Sequence, residues 1–592
     1  MRMMITGLLF LFLSIDAAAA SDACWSRAAG TPPQTIEREA AFAMGGLQGT
    51  IRTWSRADGA YRIETVVPAA GYRSVQTYDG RRAWKADGAS RAHEVTQTEL
   101  AEVVTDAFFD SQQASRAALP ADAPHTFTVT PSGGVTVTVV VDPETCLPRT
   151  FSRKTRNGVV TQTIEEWTSI DGRALPAVIR QSNGNPQFDA TIRYTSTKLN
   201  AEIADSLFAR PAAKRAVTIP NGASYLELPF ELTQNHIYVP AQVGGKPASF
   251  VIDTGAEATV IDAGHAAAIG LTGMGRIEAT GNGESTVAAQ PIAKPEVTLA
   301  GLRMPIETMY AIPLRPLWPR EGRAMEGVLG HDALSHFVVE IDYAASRLRL
   351  HDPEHFVPPA GAASLPMTYE GNIPAIRVAF ELPGGRRIEG RMIVDTGNSG
   401  GIDLYGPFVE ANGIRASAGR TVEGAGGMGV GGVSKQDLAR LAAFHVGSFT
   451  LREPIVSFSR DAKGAAAHPE LAGNLGSRAL RRFTVFVDYP HDRLLLVPNA
   501  SIATSFESDM SGLALIADGE KFDRIVVRRV LPATAAAAAG LKEGDEIAAI
   551  DGKKLSLHGL RELFLKPDTT YDLRVKRGAD TLTLKLTTRR AI

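Results

Sequence analysis

The tripeptide Asp-Thr-Gly occurs twice in this chain of 592 residues, at 253–255 and at 395–397. Each copy follows an apolar run, Phe250–Ile252 in the first case and Met392–Val394 in the second. A single copy is typical of any junction between a buried strand and a turn. Two copies with matched flanks predict two equivalent strand-turn units, each presenting one carboxylate.

The two tripeptides belong to a longer internal repeat. Residues 327–350 align without gaps on residues 473–496, and 12 of the 24 aligned positions are identical. Before each tripeptide, at 236–247 and at 373–385, an alternating apolar and polar stretch reaches a Gly-Gly pair, which is typical of a hairpin. The sequence therefore predicts a duplicated unit, in which each half has its own carboxylate.

The order of these motifs resembles one lobe of a retropepsin-like aspartic peptidase, and residues 225–500 resemble a fused double lobe. In that family a Leu-Gly segment lies beneath the catalytic turn, a place that 328–330 and 474–476 match. The resemblance implies that Asp253 and Asp395 are the catalytic pair.

The other residues of the tripeptides have supporting roles in this interpretation. The resemblance implies that Thr254 and Thr396 hydrogen bond across to the opposite lobe and fix the turns. Gly255 and Gly397 let the backbone approach the carboxylates without a Cβ atom in the way.

The resemblance also implies two Gly-rich flaps over the substrate, at 281–285 and 424–432, which begin 28 and 29 residues after their aspartates. Asn398 follows the second tripeptide where the family has Ser or Ala, and neither flap has an aromatic residue at its tip. These departures concern efficiency and specificity more than the type of reaction. The predicted flap glycines are Gly281, Gly283, Gly424, Gly426 and Gly427.

Two carboxylates about 3 Å apart cannot both ionise, so they share one proton. The ionised member can take a proton from a bound water, while the protonated member hydrogen bonds to the scissile carbonyl. The water then attacks the peptide bond, and no covalent intermediate forms. Titration belongs to the pair. This chemistry needs neither a metal nor a cofactor, and none is predicted.

The segment 397–401 also resembles the nucleophile segment of trypsin-like serine peptidases. A nucleophilic Ser399 needs a histidine base and an orienting carboxylate. His265 is the nearest upstream candidate for the base, but no convincing segment between the two residues supplies the carboxylate. The first repeat unit has Ala256–Val260 at the corresponding place and no serine there. Ser399 is therefore not part of the duplicated motif.

Two further motifs are set aside. The segment 351–355 has the spacing of an inverted zinc-peptidase motif, which requires a helix, and Pro353 disfavours one. The segment 424–429 fits a dinucleotide-binding pattern, but no helix pattern follows it. We therefore expect neither a metal site nor a dinucleotide site.

Residues 1–20 have one Arg, a short apolar stretch and a final Ala18–Ala20, which predicts a signal peptide cleaved near Ala20. We expect an exported, periplasmic protein with no transmembrane segment, because no apolar stretch is long enough to span a bilayer comfortably. The only cysteines are Cys24 and Cys146; an oxidising compartment allows them to pair, and two unpaired thiols are the alternative. A net charge of −2 without a basic stripe argues against a nucleic-acid partner.

Residues 21–215 are rich in strand-like segments. The segments 78–84 and 141–148 look similar to outer-membrane lipoprotein-carrier domains, which are curved antiparallel sheets with an apolar inner face. The resemblance implies a lipid or lipoprotein ligand. A plain β-sheet spacer or a substrate-recruiting module is the alternative.

Residues 508–592 resemble a bacterial PDZ domain. Gly512, Leu513, Ala514 and Leu515 match its carboxylate-binding loop, and 539–552 match the helix, turn and strand that follow. Such a domain adds a peptide strand to a sheet edge and holds the terminal carboxylate with backbone amides. A domain that packs against the lobes without a ligand is the alternative.

Together these patterns predict a mainly β protein with a two-lobed retropepsin-like β-barrel unit between an N-terminal curved antiparallel sheet and a C-terminal α+β PDZ domain. We expect an aspartic endopeptidase that acts on protein or peptide substrates. The alternatives are an inactive peptide-binding scaffold, a serine peptidase using Ser399, and lobes paired between two chains. The predicted boundaries are 1–20, 21–215, 225–352, 366–500 and 508–592, and the short connection at 351–370 favours pairing within one chain.

Overall fold

The computed structural model describes residues 33–592 except 112–120, 124, 146, 156–157 and 213–216. The predicted signal peptide and both cysteines lie outside the described residues, so cleavage and disulfide pairing stay predictions. Strands dominate the described chain, and several antiparallel sheets are present. The predicted mainly β fold class is confirmed.

The N-terminal region is an antiparallel sheet of 13 strands. Its first strand pairs with the second strand on one side and with the last strand on the other. These pairings join two meanders, one of strands one to six and one of strands seven to thirteen, in the middle of the sheet. The helix Gln97–Asp110 packs Phe109 against Phe151 of the sheet. The strands are Thr35–Met44, Leu47–Arg56, Tyr61–Val67, Tyr72–Tyr78, Ala83–Asp87, His93–Val95, Ala121–Ala123, Thr126–Val129, Val137–Val141, Pro148–Thr155, Gly158–Ile170, Arg173–Ser182 and Ala190–Leu199.

Lobe 1 (residues 225–352) contains a ten-stranded sheet in which parallel and antiparallel pairs are mixed. Three short helices, Ala263–Ala268, Trp318–Glu321 and His331–Leu334, flank the sheet. Its strands are Glu231–Thr233, His236–Val243, Lys246–Ile252, Val260–Asp262, Ile277–Thr280, Thr286–Ala293, Val297–Leu299, Leu302–Arg303, Thr308–Ile312 and Gly327–Leu329.

Lobe 2 (residues 366–500) repeats that topology strand for strand, as the duplication predicts. Its helices are Gly406–Ala411, Ile414–Ser417 and Ser477–Leu480. Its strands are Thr368–Glu370, Ile373–Glu381, Arg387–Asp395, Ile402–Leu404, Thr421–Glu423, Gln436–Arg440, Ala443–Val446, Phe449–Arg452, Ile455–Ser459 and Gly473–Gly476, with a separate small ladder of Gly427–Gly429 and Gly432–Ser434.

A six-stranded sheet joins the two lobes within one chain. Its central pair is antiparallel, with Val338 opposite Asp488 and Asp342 opposite Thr484. The repeat alignment places Val338 on Thr484 and Asp342 on Asp488, so an exchange of the two lobes leaves this register unchanged. The central strand pair therefore lies on a pseudo-twofold axis. One hydrophobic core runs through both lobes and this sheet. The strands are Tyr225–Pro229, Val338–Asp342, Arg347–His351, Ala363–Pro366, Phe483–Asp488 and Arg493–Pro498.

The C-terminal domain (residues 508–592) has its own hydrophobic core and a five-stranded antiparallel sheet. Its helices are Ala535–Ala538 and Leu557–Leu563, and its strands are Leu513–Asp518, Arg524–Val530, Glu546–Ile550, Thr570–Arg577 and Asp580–Thr587. Nowhere in the described ranges is a helix both long and apolar enough to cross a membrane.

Candidate active site

Each Asp-Thr-Gly turn follows a buried strand that lies parallel to the strand of the Leu-Gly segment. In lobe 1, Ile252 is in register with Leu329, and the backbone N–H of Asp253 donates to the Leu329 carbonyl at 3.0 Å. In lobe 2, Asp395 is in register with Gly476. In each lobe, the strand of the Leu-Gly segment therefore supports the Asp-Thr-Gly turn, and both lobes use the same arrangement.

The two threonines lock the turns to each other. The Thr254 hydroxyl donates to the Val394 carbonyl at 2.7 Å, and the Thr396 hydroxyl donates to the Ile252 carbonyl at 2.8 Å. Each hydroxyl also accepts from the backbone N–H of the other threonine, at 3.1 and 3.0 Å. Both side chains are completely buried. The turns are thus held across the pseudo-twofold axis by four hydrogen bonds.

This locking brings the two aspartates together. A Cβ atom built on Gly255 would lie 2.3 Å from Cγ of Asp395, and one built on Gly397 would lie 2.1 Å from Cγ of Asp253. Each carboxyl group therefore rests against the glycine of the opposite turn, which brings the two acids together across the pseudo-twofold axis. Only glycine leaves room for this approach.

The electrostatic environments of the pair differ. Desolvation in the cleft raises the pKa of Asp253 well above its usual value, and the charge of Asp395 and the hydrogen bond between the two groups raise it further. The Asn474 amide donates to Oδ2 of Asp395 at 2.5 Å. The aligned residue of lobe 1 is Val328, which offers no donor. Asp253 in turn accepts from the Gly255 N–H at 2.8 Å, so the two acids have different donors, and the shared proton belongs to the pair.

A buried histidine, which the sequence reasoning missed, supports the second turn. Nε2 of His236 lies 2.8 Å from the Gly397 carbonyl, and Nδ1 lies 2.7 Å from Glu321. Burial alone would lower the pKa of His236, but the Glu321 carboxylate and the Gly397 carbonyl outweigh it and raise the pKa to about 9. The imidazolium is therefore charged at neutral pH and donates from both ring nitrogens. The corresponding residue of lobe 2 is Ile373.

A cavity of about 600 Å³ lies over the pair. Its lining is mixed, with polar and charged side chains as well as an apolar patch from each lobe. The lobe 1 wall includes Leu314, Leu317, Met325 and Val328, and the lobe 2 wall includes Ile373, Ile393, Leu404, Tyr405 and Leu471. Such walls suit apolar side chains on either side of a bound chain.

Two hairpins form the roof, flap 1 (residues 277–293) and flap 2 (residues 421–440). Their tips are joined, because the Gly431 N–H donates to the Asn282 carbonyl at 2.8 Å and the Ser285 N–H donates to the Gly431 carbonyl at 2.9 Å. A Cβ atom on Gly283 would lie 2.4 Å from the Gly431 backbone. Glycine-rich tips without aromatic residues therefore let the flaps meet backbone to backbone.

The predicted flap glycines divide between two places. Gly281, Gly426 and Gly427 line the cavity. Gly283 lies at the junction of the flaps, and the Gly424 carbonyl, at the base of flap 2, accepts from Arg529 of the C-terminal domain at 3.2 Å.

Three further features bear on the serine-peptidase, scaffold and zinc-site interpretations: Ser399, Asn398 and the segment 351–355. Ser399 lines the cavity, but the described hydrogen bonds connect it to Asn235 and to no histidine. Asn398 donates to Asp403 and accepts from the Gly400 N–H, so its side chain stabilises the turn from within. The segment 351–355 is not helical, and among the described residues no group of His, Cys, Asp or Glu could hold a metal ion.

The predicted carboxylate loop begins at Gly512, whose φ of +76° and close approach to Thr534 require glycine. The strand Leu513–Asp518 follows and forms one edge of its sheet, since it pairs only with Arg524–Val530. Leu513, Ala514 and Leu515 line the same cavity as Asp253 and Asp395, a connection that the sequence did not predict.

Comparison with known families agrees with two of the sequence-based interpretations. Residues 239–333 match the family model described as aspartyl protease, and residues 502–588 match that of the PDZ domain. No curated protein matches the chain. The first match lies within lobe 1, and the internal repeat extends the similarity to lobe 2. Neither match covers residues before 239, so the resemblance of the N-terminal sheet to lipoprotein-carrier domains stays a prediction.

Proposed function

We propose that this protein is an aspartic endopeptidase that hydrolyses peptide bonds with a water activated between Asp253 and Asp395. The observation that carries the proposal is the contact of each carboxyl group with the glycine of the opposite turn, which faces the two acids toward each other under the flaps. The match of lobe 1 to aspartyl proteases supports the same reaction.

The pair holds one proton as a unit, and the proposal gives each acid a role within it. Asp395, which accepts from Asn474, is the base that takes a proton from the water. Asp253, whose pKa is raised, donates a hydrogen bond to the scissile carbonyl oxygen. Attack of the water oxygen on the carbonyl carbon gives a tetrahedral diol. A proton then passes to the leaving nitrogen, the C–N bond breaks, and the pair returns to its singly protonated state.

His236 acts as a positioning residue in this proposal. It donates to the carbonyl of Gly397, the glycine against which Asp253 rests, and Glu321 holds its imidazolium in place. The positive charge near the pair also favours the singly ionised state over the fully protonated one.

The remaining parts have roles that follow from the sequence. The signal peptide at 1–20 exports the chain to the periplasm, and the PDZ domain binds peptide or protein segments. The N-terminal sheet is a recruiting or ligand-binding module, for which a lipid or lipoprotein is the ligand that the resemblance suggests.

The test is hydrolysis of an unstructured polypeptide, measured by mass spectrometry between acid and neutral pH. Asp253→Asn and Asp395→Asn should each lower kcat by about 10³-fold or more, because each removes one proton-transfer group from a pair that acts as a unit. Ser399→Ala is the matched control and should retain activity. Loss of activity in Ser399→Ala alone would favour a serine peptidase, and inactivity of the unmodified protein on varied peptides would favour a scaffold.

A further inference from the structure

The C-terminal domain docks against both lobes. On the side of lobe 1, the backbone N–H of Gln234 donates to Nδ1 of His558 at 3.4 Å. On the side of lobe 2, Arg478 donates to the carbonyl of Glu507 at 3.2 Å, and the carboxylate of Glu507 accepts from Arg590 near the end of the chain. The domain therefore bridges the two lobes, and it also lines the catalytic cavity between them.

The helix Trp318–Glu321 of lobe 1 lies on the edge strand Leu513–Asp518 of this domain. Gly322 ends the helix, and a Cβ atom built on it would lie 3.3 Å from Cβ of Leu557 and 3.8 Å from Cβ of Ala517. The side of the C-terminal domain that is formed by its edge strand and its second helix is therefore occupied by a segment of its own chain.

Arg561 fastens that segment to the C-terminal domain. Its guanidinium donates to the Leu515 carbonyl and to the Arg320 carbonyl, both at 3.0 Å. A planar guanidinium can donate in two fixed directions at once, which a single ammonium group does not reproduce. One side chain thus joins the edge strand to the helix of lobe 1.

Flap 2 is held by arginines from both sides of this contact. Arg320, on the helix of lobe 1, donates to the Gly426 carbonyl at 2.7 Å. Arg529, on the C-terminal domain, donates to the Gly424 carbonyl at 3.2 Å and lies 3.6 Å from the carboxylate of Glu423. The docked domain therefore fixes flap 2 directly through Arg529, and indirectly through the helix that carries Arg320.

Flap 2 in turn closes the roof of the cavity, because its tip is hydrogen bonded to the tip of flap 1. Lobe 2 contacts the tip of flap 1 from another side, where the Ala462 N–H donates to Glu284 at 2.6 Å. In the same loop, a Cβ atom on Gly464 would lie 2.0 Å from the Gly283 carbonyl oxygen. A long polypeptide can therefore reach the aspartates only when the joined flaps part.

We propose that the C-terminal domain is a latch on the catalytic cleft. Docked on lobe 1, it holds flap 2 closed through Arg320 and Arg529, and polypeptide reaches Asp253 and Asp395 only after these contacts break. The expected effect on rate rests on the proposed peptidase function, whereas the expected effect on flap movement does not. The latch gives the domain a role that needs no bound peptide.

The first experiment measures amide hydrogen exchange in flap 2, residues 421–440, by mass spectrometry on the full chain. Arg529→Ala removes the domain's own contact with the flap and should speed exchange there by about fivefold, as for the loss of one partly exposed hydrogen bond from a charged group. The matched control is Arg528→Ala, an exposed neighbour on the same strand; the described hydrogen bond and ion pair from this strand to flap 2 are those of Arg529. Equal exchange in the two variants would overturn the latch, whether or not the protein hydrolyses peptides.

Hydrolysis of an unstructured polypeptide tests the consequence for activity. kcat/KM should rise by about fivefold in Arg529→Ala, because the open flap is more often populated, and should stay unchanged in Arg528→Ala. A lower kcat/KM together with faster exchange would overturn the proposal, since flap 2 would then need the domain in order to be productive. Inactivity of the unmodified protein, with faster flap exchange in Arg529→Ala, would contradict the peptidase function and support the latch.

Arg561→Lys tests the link between the C-terminal domain and the helix of lobe 1. Lysine keeps the positive charge but lacks the planar group that donates to both carbonyls. Exchange should become faster in residues 315–322 and in flap 2, while residues 570–587 keep the exchange of the unmodified protein because the domain stays folded. Arg574→Lys, at an exposed position of the same domain, is the control and should change neither segment. Faster exchange in 315–322 with no change in flap 2 would overturn the latch.

Discussion

The two lobes share one topology and one Asp-Thr-Gly turn, yet they differ at two positions beside the aspartates. At the Leu-Gly segment, lobe 1 has Val328 where lobe 2 has Asn474, which donates to Asp395. At the entry strand, lobe 1 has His236 where lobe 2 has Ile373, which packs in a small apolar cluster. The duplication thus provides symmetric geometry, and single substitutions within it make the pair chemically unequal. This difference teaches that the position of each acid and its hydrogen-bonding environment are specified by separate residues.

The largest expected effect tests what the lobes share. Gly255→Ala and Gly397→Ala would each place a Cβ atom within about 2.3 Å of the opposite carboxyl carbon. Displacement of a catalytic group by about 1 Å can cost roughly 100-fold in rate, so both variants should lose at least that much in kcat for peptide hydrolysis. Gly401→Ala is the control, because its new Cβ atom would meet only Arg478 at 3.8 Å. Loss in one lobe alone would contradict the symmetric arrangement.

The next prediction tests His236, whose counterpart in lobe 2 is Ile373. The folded pKa of His236, about 9, lies above its usual value, so its stabilisation is complete below about pH 6.5 and is lost as the pH rises through 9. The contribution is up to about 3 kcal/mol, and the melting temperature of the unmodified protein should fall over this interval. His236→Gln should flatten that dependence.

The control for this experiment is His355→Gln, whose side chain is 64% exposed and pairs only with Asp352 among the described ion pairs. It should leave the pH dependence of the melting temperature unchanged. If His236→Gln kept the full dependence between pH 6.5 and 9, the buried ion pair with Glu321 would not be its source.

A smaller effect tests the threonine lock. Thr254→Val and Thr396→Val each remove a buried donor and a buried acceptor, which should lower the free energy of unfolding by about 2 kcal/mol in either lobe. The double variant should cost less than the sum, since the two hydroxyls share one network. Chemical denaturation measures both quantities, and Thr583→Val is an exposed control. Strict additivity would show that the turns are held independently.

The smallest expected effect tests the asymmetry of the pair. Asn474→Val gives lobe 2 the residue of lobe 1 and removes the donor to Asp395, so kcat should fall about tenfold, as for the loss of a hydrogen bond to a charged group. The acidic limb of the pH–rate profile should move to higher pH, because the ionised pair loses a donor that favours it. Val328→Asn is the matched exchange in lobe 1 and should not reproduce that shift. An unchanged acidic limb in Asn474→Val would show that Asn474 does not bias the pair.

Much of the fold followed from sequence patterns. The repeat predicted two equivalent lobes, and the alternation of apolar and polar residues predicted their hairpins, because a strand with one buried face has a period of two. The run at 539–552 predicted the PDZ domain that the family match confirms. Each of these is a local pattern that neighbouring residues specify.

Two residues of the candidate site, His236 and Asn474, were not predicted from the sequence, and the physical reason differs between them. His236 stands in an alternating strand as an ordinary polar residue, and its charge depends on Glu321, 85 positions later. Asn474 replaces one apolar residue in a short motif, and only the folded turn shows that its amide meets Asp395. A signal for both was present in the repeat alignment, as polar residues at positions where the other copy is apolar.

The sequence by itself determined the two carboxylates, the glycines and threonines beside them, and the order of the domains, because these depend on short motifs and their duplication. The tertiary structure alone decided that His236 and Asn474 contact the two turns, that the flap tips hydrogen bond to each other, and that Leu513–Leu515 line the same cavity as the aspartates. Those properties arise where residues distant in the chain desolvate or hydrogen bond one another, and no local pattern records such contacts.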